Sequence, residues 1–362
     1  MSARPILIMA GGTGGHVYPA LAVAREMIGR SQSVVWLGTH RGLESRVVPE
    51  AGIDIEWISV GGLRGKGALT LIAAPFRLIL ALAQSLRVVL RHRPAAVLGM
   101  GGFVSGPGGV AAWLTRRPLI VHEQNAVAGL TNRLLARLAR VVLQAFPGSF
   151  SPRRNAQTVG NPVRADIAAV PPPSERFATR SGPARLLVIG GSLGALKLNQ
   201  MVPAAVAALP ETDRPVIRHQ TGERTADVAA EAYRDAGVDG DLTAYIEDMA
   251  EAYSWADVIV CRAGALTVAE VSAVGLPAVF IPFPAAVDDH QTANARGLSE
   301  AGAAVTIQES DLTAERLASA LAEIIGDRNE LVRRASLARA AAKPEALDRI
   351  TGLCLDAAGV TP

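Results

Sequence analysis

Apolar runs alternate with helix-period segments along the whole chain, beginning with PILIMA, SVVWLG, AAVLGM and PLIVHE and continuing with RLLVIG, DVIVCR and PAVFIP. Continuous apolar strands that are separated by helices are typical of parallel sheets whose two faces are both covered. The pattern therefore predicts an α/β fold of the doubly wound class.

Two similar segments divide this pattern into halves. Residues 5–16 and residues 185–195 each combine an apolar strand, a glycine-rich turn and a helix start, which predicts two Rossmann-like units. The intervening stretch PPPSERFATRSGP is rich in proline and polar residues, as linkers are. We expect domains at residues 1–162 and 163–345. Spacing alone leaves open whether a C-terminal helix, at about residues 346–362, packs back on the first domain.

Composition narrows the class of protein. With 49% hydrophobic and 19% charged residues, the chain is expected to be globular rather than disordered. The two cysteines, Cys261 and Cys354, are far apart in the chain, which suggests burial and a reduced, cytoplasmic compartment. The longest apolar segment, residues 67–90, is interrupted by Arg77 and Arg87, so its pieces are too short to span a bilayer.

Charge is distributed unevenly between the two halves. Residues 1–165 carry 19 Lys and Arg against 6 Asp and Glu, whereas the remainder carries 17 against 27. No acidic residue lies between Trp57 and His122. Such a basic half attracts anions, although a merely solvated basic face is the alternative. Few aromatic residues and no recognisable motif argue against nucleic acid. An anionic membrane surface or a phosphorylated lipid is the better candidate.

One apolar stripe lies inside this basic region. Ile72, Phe76, Ile79 and Leu82 recur at helical spacing and are flanked by arginines. Such a stripe either packs into a core or inserts into a membrane interface, where apolar insertion and basic attraction to anionic lipid act together. We expect the membrane interface here, with reversible binding to anionic vesicles.

The first glycine loop, residues 11–16, predicts an anion site. Its small residues let backbone amides approach a phosphate at a helix N-terminus, although a purely structural turn stays possible. A dinucleotide site would also need a carboxylate at the end of the second strand, where Gly38 and Thr39 stand instead. The sequence therefore disfavours a dehydrogenase. His16 follows in the first helical turn, either within reach of the ligand or in a packing role.

Further loops follow other strands. Residues 99–109 and 122–125 belong to the first half, and the carboxyl ends of parallel strands form the usual ligand crevice. In the second half, residues 190–195 offer another anion cradle, to which Ser192 adds a hydroxyl. Glu270, about one turn into a helix that follows a strand, is placed to accept two hydrogen bonds from a ribose diol. An ordinary helix glutamate is the alternative.

Two further polar groups in the second half of the chain are candidates for sugar or metal binding. Gln291 and Asn294 share one helical face and suit sugar hydroxyls, unless they form an ordinary polar helix start. Asp239 and Asp241 form the short acidic motif that many metal-dependent sugar transferases use, but their position predicts a solvated turn. We therefore expect no metal and no other cofactor, and we expect helix N-termini and Arg164 to neutralise a diphosphate.

The motifs GGTGGHVYPALAVA, GLRGKG, LGMGGFVSGPGG, HEQNAVAGLTNR, QAFPG, GNPVR, GGSLGA and CRAGALTVAE together closely resemble the MurG family, in order from residue 5 to about residue 345. The resemblance implies a glycosyltransferase-B fold, in which two Rossmann-like domains face each other across a cleft. It implies transfer of N-acetylglucosamine from UDP-N-acetylglucosamine to the lipid-linked muramyl-pentapeptide of peptidoglycan synthesis. It also implies a peripheral location on the cytoplasmic face of the inner membrane.

The resemblance also implies site residues by matching motif. The acceptor side would be the first domain, and the second would hold most of the donor. The implied donor contacts are Thr13, Gly14, Gly15, Asn125, Arg164, Ser192, Ile246, Ala265, Leu266, Thr267, Val268, Ala269, Glu270 and Gln291. An inverting transfer needs a base, for which His16 is the first choice and Glu123 the second.

The chain departs from the family pattern at two places, and other functions stay open. Leu193 replaces a glutamine that the family often has, and the looser match over residues 284–291 leaves His290 as an alternative to Gln291. A glycolipid synthase that uses diacylglycerol, a sugar-nucleotide epimerase and a non-catalytic UDP-sugar sensor are the competing functions. Release of UDP in the presence of each acceptor discriminates among them.

Overall fold

The computed structural model describes residues 4–61, 68–191, 194–284 and 286–360, without the side chains of residues 68–73 and 287. By its internal contacts the chain divides into two compact units. The first comprises Met1–Pro162 and Glu345–Pro362, and the second comprises Val163–Pro344. The division after Pro162 falls where the sequence analysis ends the first domain.

The first unit is built on a seven-stranded parallel sheet with the order β3-β2-β1-β4-β5-β6-β7. Its strands are β1 (Ile6–Met9), β2 (Val34–Gly38), β3 (Asp54–Trp57), β4 (Ala96–Gly99), β5 (Leu119–Glu123), β6 (Val141–Gln144) and β7 (Gln157–Thr158). The helices that connect them are α1 (Gly14–Gly29), α2 (Glu44–Glu50), α3 (Ala68–His92), α4 (Ser105–Leu114) and α5 (Leu130–Leu135).

Helices cover both faces of this sheet because successive strand residues point to opposite sides. Ile6 and Ile8 pack into one core with residues of α1, whereas Leu7 and Met9 pack into another with residues of α3, α4 and α5. The strand order reverses between β1 and β4, which pair with Met9 opposite Gly99. The loops that follow these two strands therefore lie side by side, at the position where open α/β sheets bind ligands.

The second unit repeats this plan with a six-stranded parallel sheet of order β10-β9-β8-β11-β12-β13. Its strands are β8 (Arg185–Ile189), β9 (Val216–Gln220), β10 (Asp241–Thr243), β11 (Val258–Cys261), β12 (Ala278–Phe280) and β13 (Ala304–Thr306). Its helices are α6 (Ala165–Ala168), α7 (Pro173–Ala178), α8 (Leu196–Ala207), α9 (Ala226–Ala236), α10 (Met249–Trp255), α11 (Ala265–Val274), α12 (His290–Glu300), α13 (Ala314–Ile325) and α14 (Arg328–Ala340). The predicted pair of doubly wound units is confirmed.

The last helix, α15 (Ala346–Ala358), belongs to the first unit rather than to the second. Its buried residues Ile350, Cys354 and Leu355 complete the core that contains Ile6 and Ile8. The first unit is therefore assembled from two separate parts of the chain.

Helix α3 differs in part from the stripe that the sequence predicts. Phe76 and Ile79 are 75% and 65% exposed, whereas Leu82 packs against the core of the first unit. The prediction that Leu82 inserts into a membrane is wrong, because α3 packs the face that carries Ala81, Leu82 and Val88 against the core. The side chain of Ile72 lies outside the described residues. In the described part of the chain, none of the helices has the length and hydropathy needed to cross a membrane.

Candidate active site

The first glycine loop is held by a carboxylate that the sequence analysis missed. Glu44, fully buried in the first turn of α2, accepts a hydrogen bond from the Gly12 amide at 2.9 Å through Oε2. Its Oε1 accepts hydrogen bonds from the Thr39 amide at 3.0 Å and the Thr39 hydroxyl at 2.8 Å. Because Glu44 already occupies the Gly12 amide, that amide does not face a ligand.

The remaining groups of the loop are better placed for a ligand. Thr13 and Gly15 are exposed and Gly14 is partly exposed, at the N-terminus of α1. The first amides of a helix have no carbonyl partner within it, and the helix dipole favours an anion at that end. The three residues that the resemblance implies thus lie at the one part of the loop suited to a phosphate.

His16 lies where the two glycine loops of the first unit meet. A Cβ atom at Gly101 would be 2.8 Å from His16 Nε2, so the imidazole rests against the backbone of the second loop. A Cβ atom at Gly102 would likewise clash with the carbonyl oxygen of Gly11. Both Gly101 and Gly102 have positive φ, a conformation that glycine adopts without strain. Because these two residues have no side chain, the first loop and the His16 imidazole can pack directly against the backbone of the second loop.

Glu123, the second candidate base, is committed to its own loop. It is buried at the end of β5, and its Oε1 accepts hydrogen bonds from the Asn125 amide and side chain at 3.0 and 3.2 Å. Its Oε2 accepts from the Gly129 amide at 3.2 Å and from the Asn132 side chain at 2.8 Å. The four donors engage both carboxylate oxygens, so the arrangement favours a positioning role for Glu123.

Motifs on either side of Glu123 interlock. His122 is fully buried, its Nε2 lies 2.9 Å from the Gly160 carbonyl, and burial lowers its pKa to about 4. The neutral imidazole donates through Nε2 and accepts at Nδ1 from the Gln124 side chain at 3.2 Å. Asn161 in turn donates to the Gln124 carbonyl at 3.0 Å. The HEQN and GNPVR motifs thus fix the backbone from which Asn125 projects.

Glu270, the predicted ribose contact, forms a hydrogen bond with Tyr253 inside the second unit. Glu270 lies in α11, and its Oε2 accepts a hydrogen bond from the Tyr253 hydroxyl at 2.9 Å. Burial raises the pKa of Glu270 to about 7, while the Tyr253 hydrogen bond and the charge of Arg164 act in the opposite direction. Among the described residues Tyr253 alone donates to this carboxylate, which leaves Oε1 available to a ligand hydroxyl.

The start of α11 supplies backbone donors beside Glu270. The helix begins at Ala265 after Gly264, and the amides of Leu266 and Thr267 in its first turn make no hydrogen bond within the helix. Val268 is buried and Ala269 is half-buried in the first turns of the same helix. Ser192, the hydroxyl expected in the neighbouring glycine loop, lies outside the described residues, as does Leu193.

Two polar side chains of α12 hold adjoining loops. Asn294 is fully buried and donates to the Ala263 carbonyl at 3.1 Å, so the expectation that it faces sugar hydroxyls is wrong. Gln291 Oε1 accepts from the Phe283 amide at 2.9 Å, which orients the side-chain amide of Gln291. The choice between Gln291 and His290 as the sugar contact stays a prediction.

Gln220 is a second residue that the sequence analysis missed. It is buried at the end of β9, where its side chain donates to the Gly191 carbonyl at 3.1 Å and accepts from the Ile246 amide at 3.2 Å. Gln220 therefore ties the second-unit glycine loop to the segment that carries Ile246. The available signal was the position of Gln220 at the carboxyl end of a predicted strand, where open α/β sheets bind ligands. Arg164, half exposed, lies 3.7 Å from Asp166.

The acidic pair Asp239 and Asp241 lies at the surface, at the start of β10. Both residues are exposed, and Asp241 lies 3.9 Å from the Arg218 guanidinium. Within the described ranges, no group of three or more His, Cys, Asp or Glu side chains is arranged to hold a metal ion.

Both units of the chain match one family of glycosyltransferases. Residues 6–144 match the glycosyltransferase family 28 N-terminal domain, and residues 185–350 match its C-terminal domain. The UDP-N-acetylglucosamine--N-acetylmuramyl-(pentapeptide) pyrophosphoryl-undecaprenol N-acetylglucosamine transferase of Alkalilimnicola ehrlichii is 60% identical over 354 residues, 98% of this chain and 99% of that protein. The transferase of the same name from Thiobacillus denitrificans is 55% identical and covers 97% of both chains.

Solved structures agree with these matches. The crystal structure of Acinetobacter baumannii MurG has a TM-score of 0.86 and 41% identity, with 98% of this chain and 99% of that chain covered. The calicheamicin glycosyltransferase CalG4 is only 15% identical but has a TM-score of 0.68 over both whole chains, which shows a shared fold. The chain therefore belongs to the MurG family within glycosyltransferase family 28.

Proposed function

We infer that this chain transfers N-acetylglucosamine from UDP-N-acetylglucosamine to the lipid-linked muramyl-pentapeptide, lipid I, and so makes lipid II for peptidoglycan. The observation that carries this inference is the match to the Alkalilimnicola ehrlichii transferase, which is 60% identical and extends over nearly the whole of both chains. The reaction is a glycosyl transfer in which the acceptor hydroxyl attacks the anomeric carbon as UDP leaves.

The second unit is proposed to hold the donor. Glu270 has one carboxylate oxygen available beside the N-terminus of α11, an arrangement suited to a ribose diol next to a diphosphate. Arg164 exerts its charge on Glu270 and would add a cation near the same place. Stabilisation of the leaving diphosphate by these groups requires no metal ion. The same assignment includes Ile246 and Gln291. The Gln220 side chain orients the backbone of Ile246, and the Phe283 amide orients the side chain of Gln291.

The first unit is proposed to hold the acceptor and the base. His16 lies between two glycine loops and beside the exposed helix N-terminus at Thr13–Gly15. An imidazole has the basicity that suits proton transfer near neutral pH. In the proposed step His16 accepts the proton of the attacking hydroxyl, while Glu123 keeps Asn125 and its loop in place.

A peripheral site on the cytoplasmic face of the inner membrane is proposed for the protein. Six consecutive residues of α3, from Pro75 to Leu80, are exposed, and they include Phe76 and Ile79. A helix that exposes apolar residues on every side in this way is costly in water but suited to a lipid interface. A role of the enzyme in cell-wall formation, cell shape and division would follow from this location and reaction.

Charge supports the same proposal. Glu123 is the one acidic residue between Trp57 and Asp166 in the sequence, and it is buried. Arg77 lies within the exposed stretch from Pro75 to Leu80. Basic side chains near a membrane each contribute about 1 kcal/mol of attraction to anionic lipid.

Release of UDP tests the proposed function against its competitors. The purified protein is incubated with UDP-N-acetylglucosamine and either lipid I or diacylglycerol, and UDP is measured over time. Release that depends on lipid I is expected. Release with diacylglycerol alone would point to a glycolipid synthase, conversion of the donor without an acceptor to an epimerase, and binding without release to a sensor.

A further inference from the structure

Tyr253 is a buried tyrosine whose hydroxyl reaches the proposed donor site. It lies in α10, is 1% exposed, and donates to Glu270 Oε2 at 2.9 Å. Burial and the neighbouring charge of Glu270 raise its pKa well above the ordinary value, so the hydroxyl keeps its proton at every pH relevant to the enzyme. Tyr253 is therefore a permanent hydrogen-bond donor that points at a carboxylate.

We propose that Tyr253 is a positioning residue for UDP-sugar binding, because its hydroxyl holds Glu270 Oε2 so that Oε1 faces the ribose. The proposal rests on the function inferred above, in which Glu270 binds the ribose diol. Tyr253 itself touches no substrate in this arrangement, since it is only 1% exposed.

The flexibility of a glutamate side chain explains why Glu270 needs a residue that fixes its position. A glutamate side chain has three rotatable bonds, and fixing them at the moment of binding would cost conformational entropy. The Tyr253 ring is already fixed by burial, and α10 is capped by Asp248, whose Oδ1 accepts from the Glu251 amide at 2.9 Å. A hydrogen bond from this rigid ring orders the carboxylate before the donor arrives, which improves affinity.

Electrostatics gives Tyr253 a second effect on the same carboxylate. The groups that influence Glu270 are Tyr253 on α10, Cys261 on β11, and Arg164 and Asp166 at the start of α6. Cys261 is buried and its thiol pKa is raised, so it stays neutral. Tyr253 and Arg164 favour the ionised carboxylate, whereas burial and Asp166 disfavour it. Removal of the Tyr253 hydroxyl therefore makes Glu270 take up a proton at a higher pH.

The test measures donor binding and turnover in Tyr253→Phe. The KM for UDP-N-acetylglucosamine should rise about tenfold while kcat changes less than about twofold, because the Glu270 side chain then has to be ordered as the donor binds. The pH at which affinity for UDP falls to half should move upward. A merely structural role for Tyr253 would lower the thermal unfolding temperature without moving that pH midpoint.

Tyr233→Phe is a matched control in the same unit. Tyr233 is also buried, at 4% exposure, and its hydroxyl bonds to His219 Nδ1 at 3.0 Å instead of to a site residue. The donor KM and the pH midpoint of Tyr233→Phe should equal those of the unchanged protein. Equal effects in both tyrosine variants would overturn the proposal.

Two further variants separate the possible failures. Glu270→Ala tests the ribose assignment itself, so an unchanged donor KM in that variant would refute the proposed function of Glu270. A raised KM in Glu270→Ala with an unchanged KM and pH midpoint in Tyr253→Phe would refute the positioning role alone. If Tyr253→Phe folds poorly, 3-fluorotyrosine at position 253 keeps the ring and strengthens the donor. The pH midpoint should then move downward, and an unmoved midpoint would overturn the proposal.

Discussion

The carboxylate of Glu44 accepts a hydrogen bond from the Gly12 amide at 2.9 Å, across 32 residues of sequence. The same carboxylate accepts two hydrogen bonds from Thr39. The Glu44 carboxylate thus occupies the Gly12 amide, to which an incoming phosphate could otherwise bind. The loop is shaped before any ligand binds, and only the groups at the start of α1 are left to receive one.

Glu44→Gln should destabilise the first unit. A glutamine amide cannot accept all three hydrogen bonds and places a donor against other donors, which costs about 1–3 kcal/mol for each buried group left unsatisfied. We expect the free energy of unfolding to fall by at least about 2 kcal/mol in chemical denaturation. The control Glu26→Gln removes only a partly exposed ion pair with Arg30 and should cost less than about 1 kcal/mol. Equal denaturation midpoints for the two variants would contradict the role assigned to Glu44.

His16→Ala should lower kcat by about 10²–10⁴ if the imidazole takes the proton of the acceptor hydroxyl. The KM for UDP-N-acetylglucosamine should change little, because His16 is assigned to the acceptor. His40→Ala is the matched control, since His40 is an exposed histidine of the same unit that stacks on Trp57 at 4.3 Å. Loss of stability with near-normal kcat in the folded fraction would assign His16 to packing instead.

Glu123→Gln distinguishes positioning from proton transfer. Because its four donors would lose part of their acceptor, we expect a lower unfolding temperature and a weaker hold on Asn125. The pH profile of kcat should match that of the unchanged protein. An altered profile in Glu123→Gln, with a normal profile in His16→Ala, would make Glu123 the base.

Replacement of both Phe76 and Ile79 by serine should weaken binding to vesicles that contain phosphatidylglycerol. The two side chains are largely exposed, so thermal stability and affinity for UDP should stay nearly unchanged. Turnover of lipid I should fall with vesicle binding, and salt should weaken binding of the unchanged protein. The control Val88→Ser alters a buried residue of the same helix and should unfold the first unit at lower temperature. Unfolding of the double variant would instead place Phe76 and Ile79 in a core.

Donor binding should release a proton near neutral pH. In the free protein burial raises the pKa of Glu270 to about 7, and ribose hydroxyls that donate to the carboxylate favour its ionised form. UDP affinity should therefore weaken as the pH falls below 7, and calorimetry in buffers of different ionisation enthalpy should show the released proton. In Glu270→Ala the release should vanish and the Kd should rise about 10- to 150-fold. Proton release that persists in this variant would place the titrating group elsewhere.

The sequence predicted the two doubly wound units because apolar strands and glycine turns are local patterns. The predictions for Glu270 and for the Thr13–Gly15 loop rest on the same kind of local pattern, since each follows a strand at the edge where ligands bind. Glu44 and Gln220 were missed because their partners, Gly12 and Gly191, lie 32 and 29 residues away and no spacing rule connects them. A sequence shows which side chains carry chemistry more readily than which side chains hold them.

Helical spacing was not enough to decide which face of a helix is buried. Phe76, Ile79 and Leu82 read as a single stripe, yet Leu82 belongs to the packed part of α3, while the other two lie on the part that projects from the core. Asn294 similarly read as a sugar contact but is used to hold the Ala263 carbonyl. Burial is a property of the tertiary neighbours, which periodicity alone does not supply.

The return of α15 to the first unit bears on the order in which a nascent chain can fold. The second unit is continuous in sequence, from Val163 to Pro344, so it can close its core as soon as it leaves the ribosome. The first unit is synthesised earlier, but its core lacks Ile350, Cys354 and Leu355 until translation has passed them. During that interval part of the apolar face of α1 stays uncovered. The unit that is synthesised first therefore completes its core last.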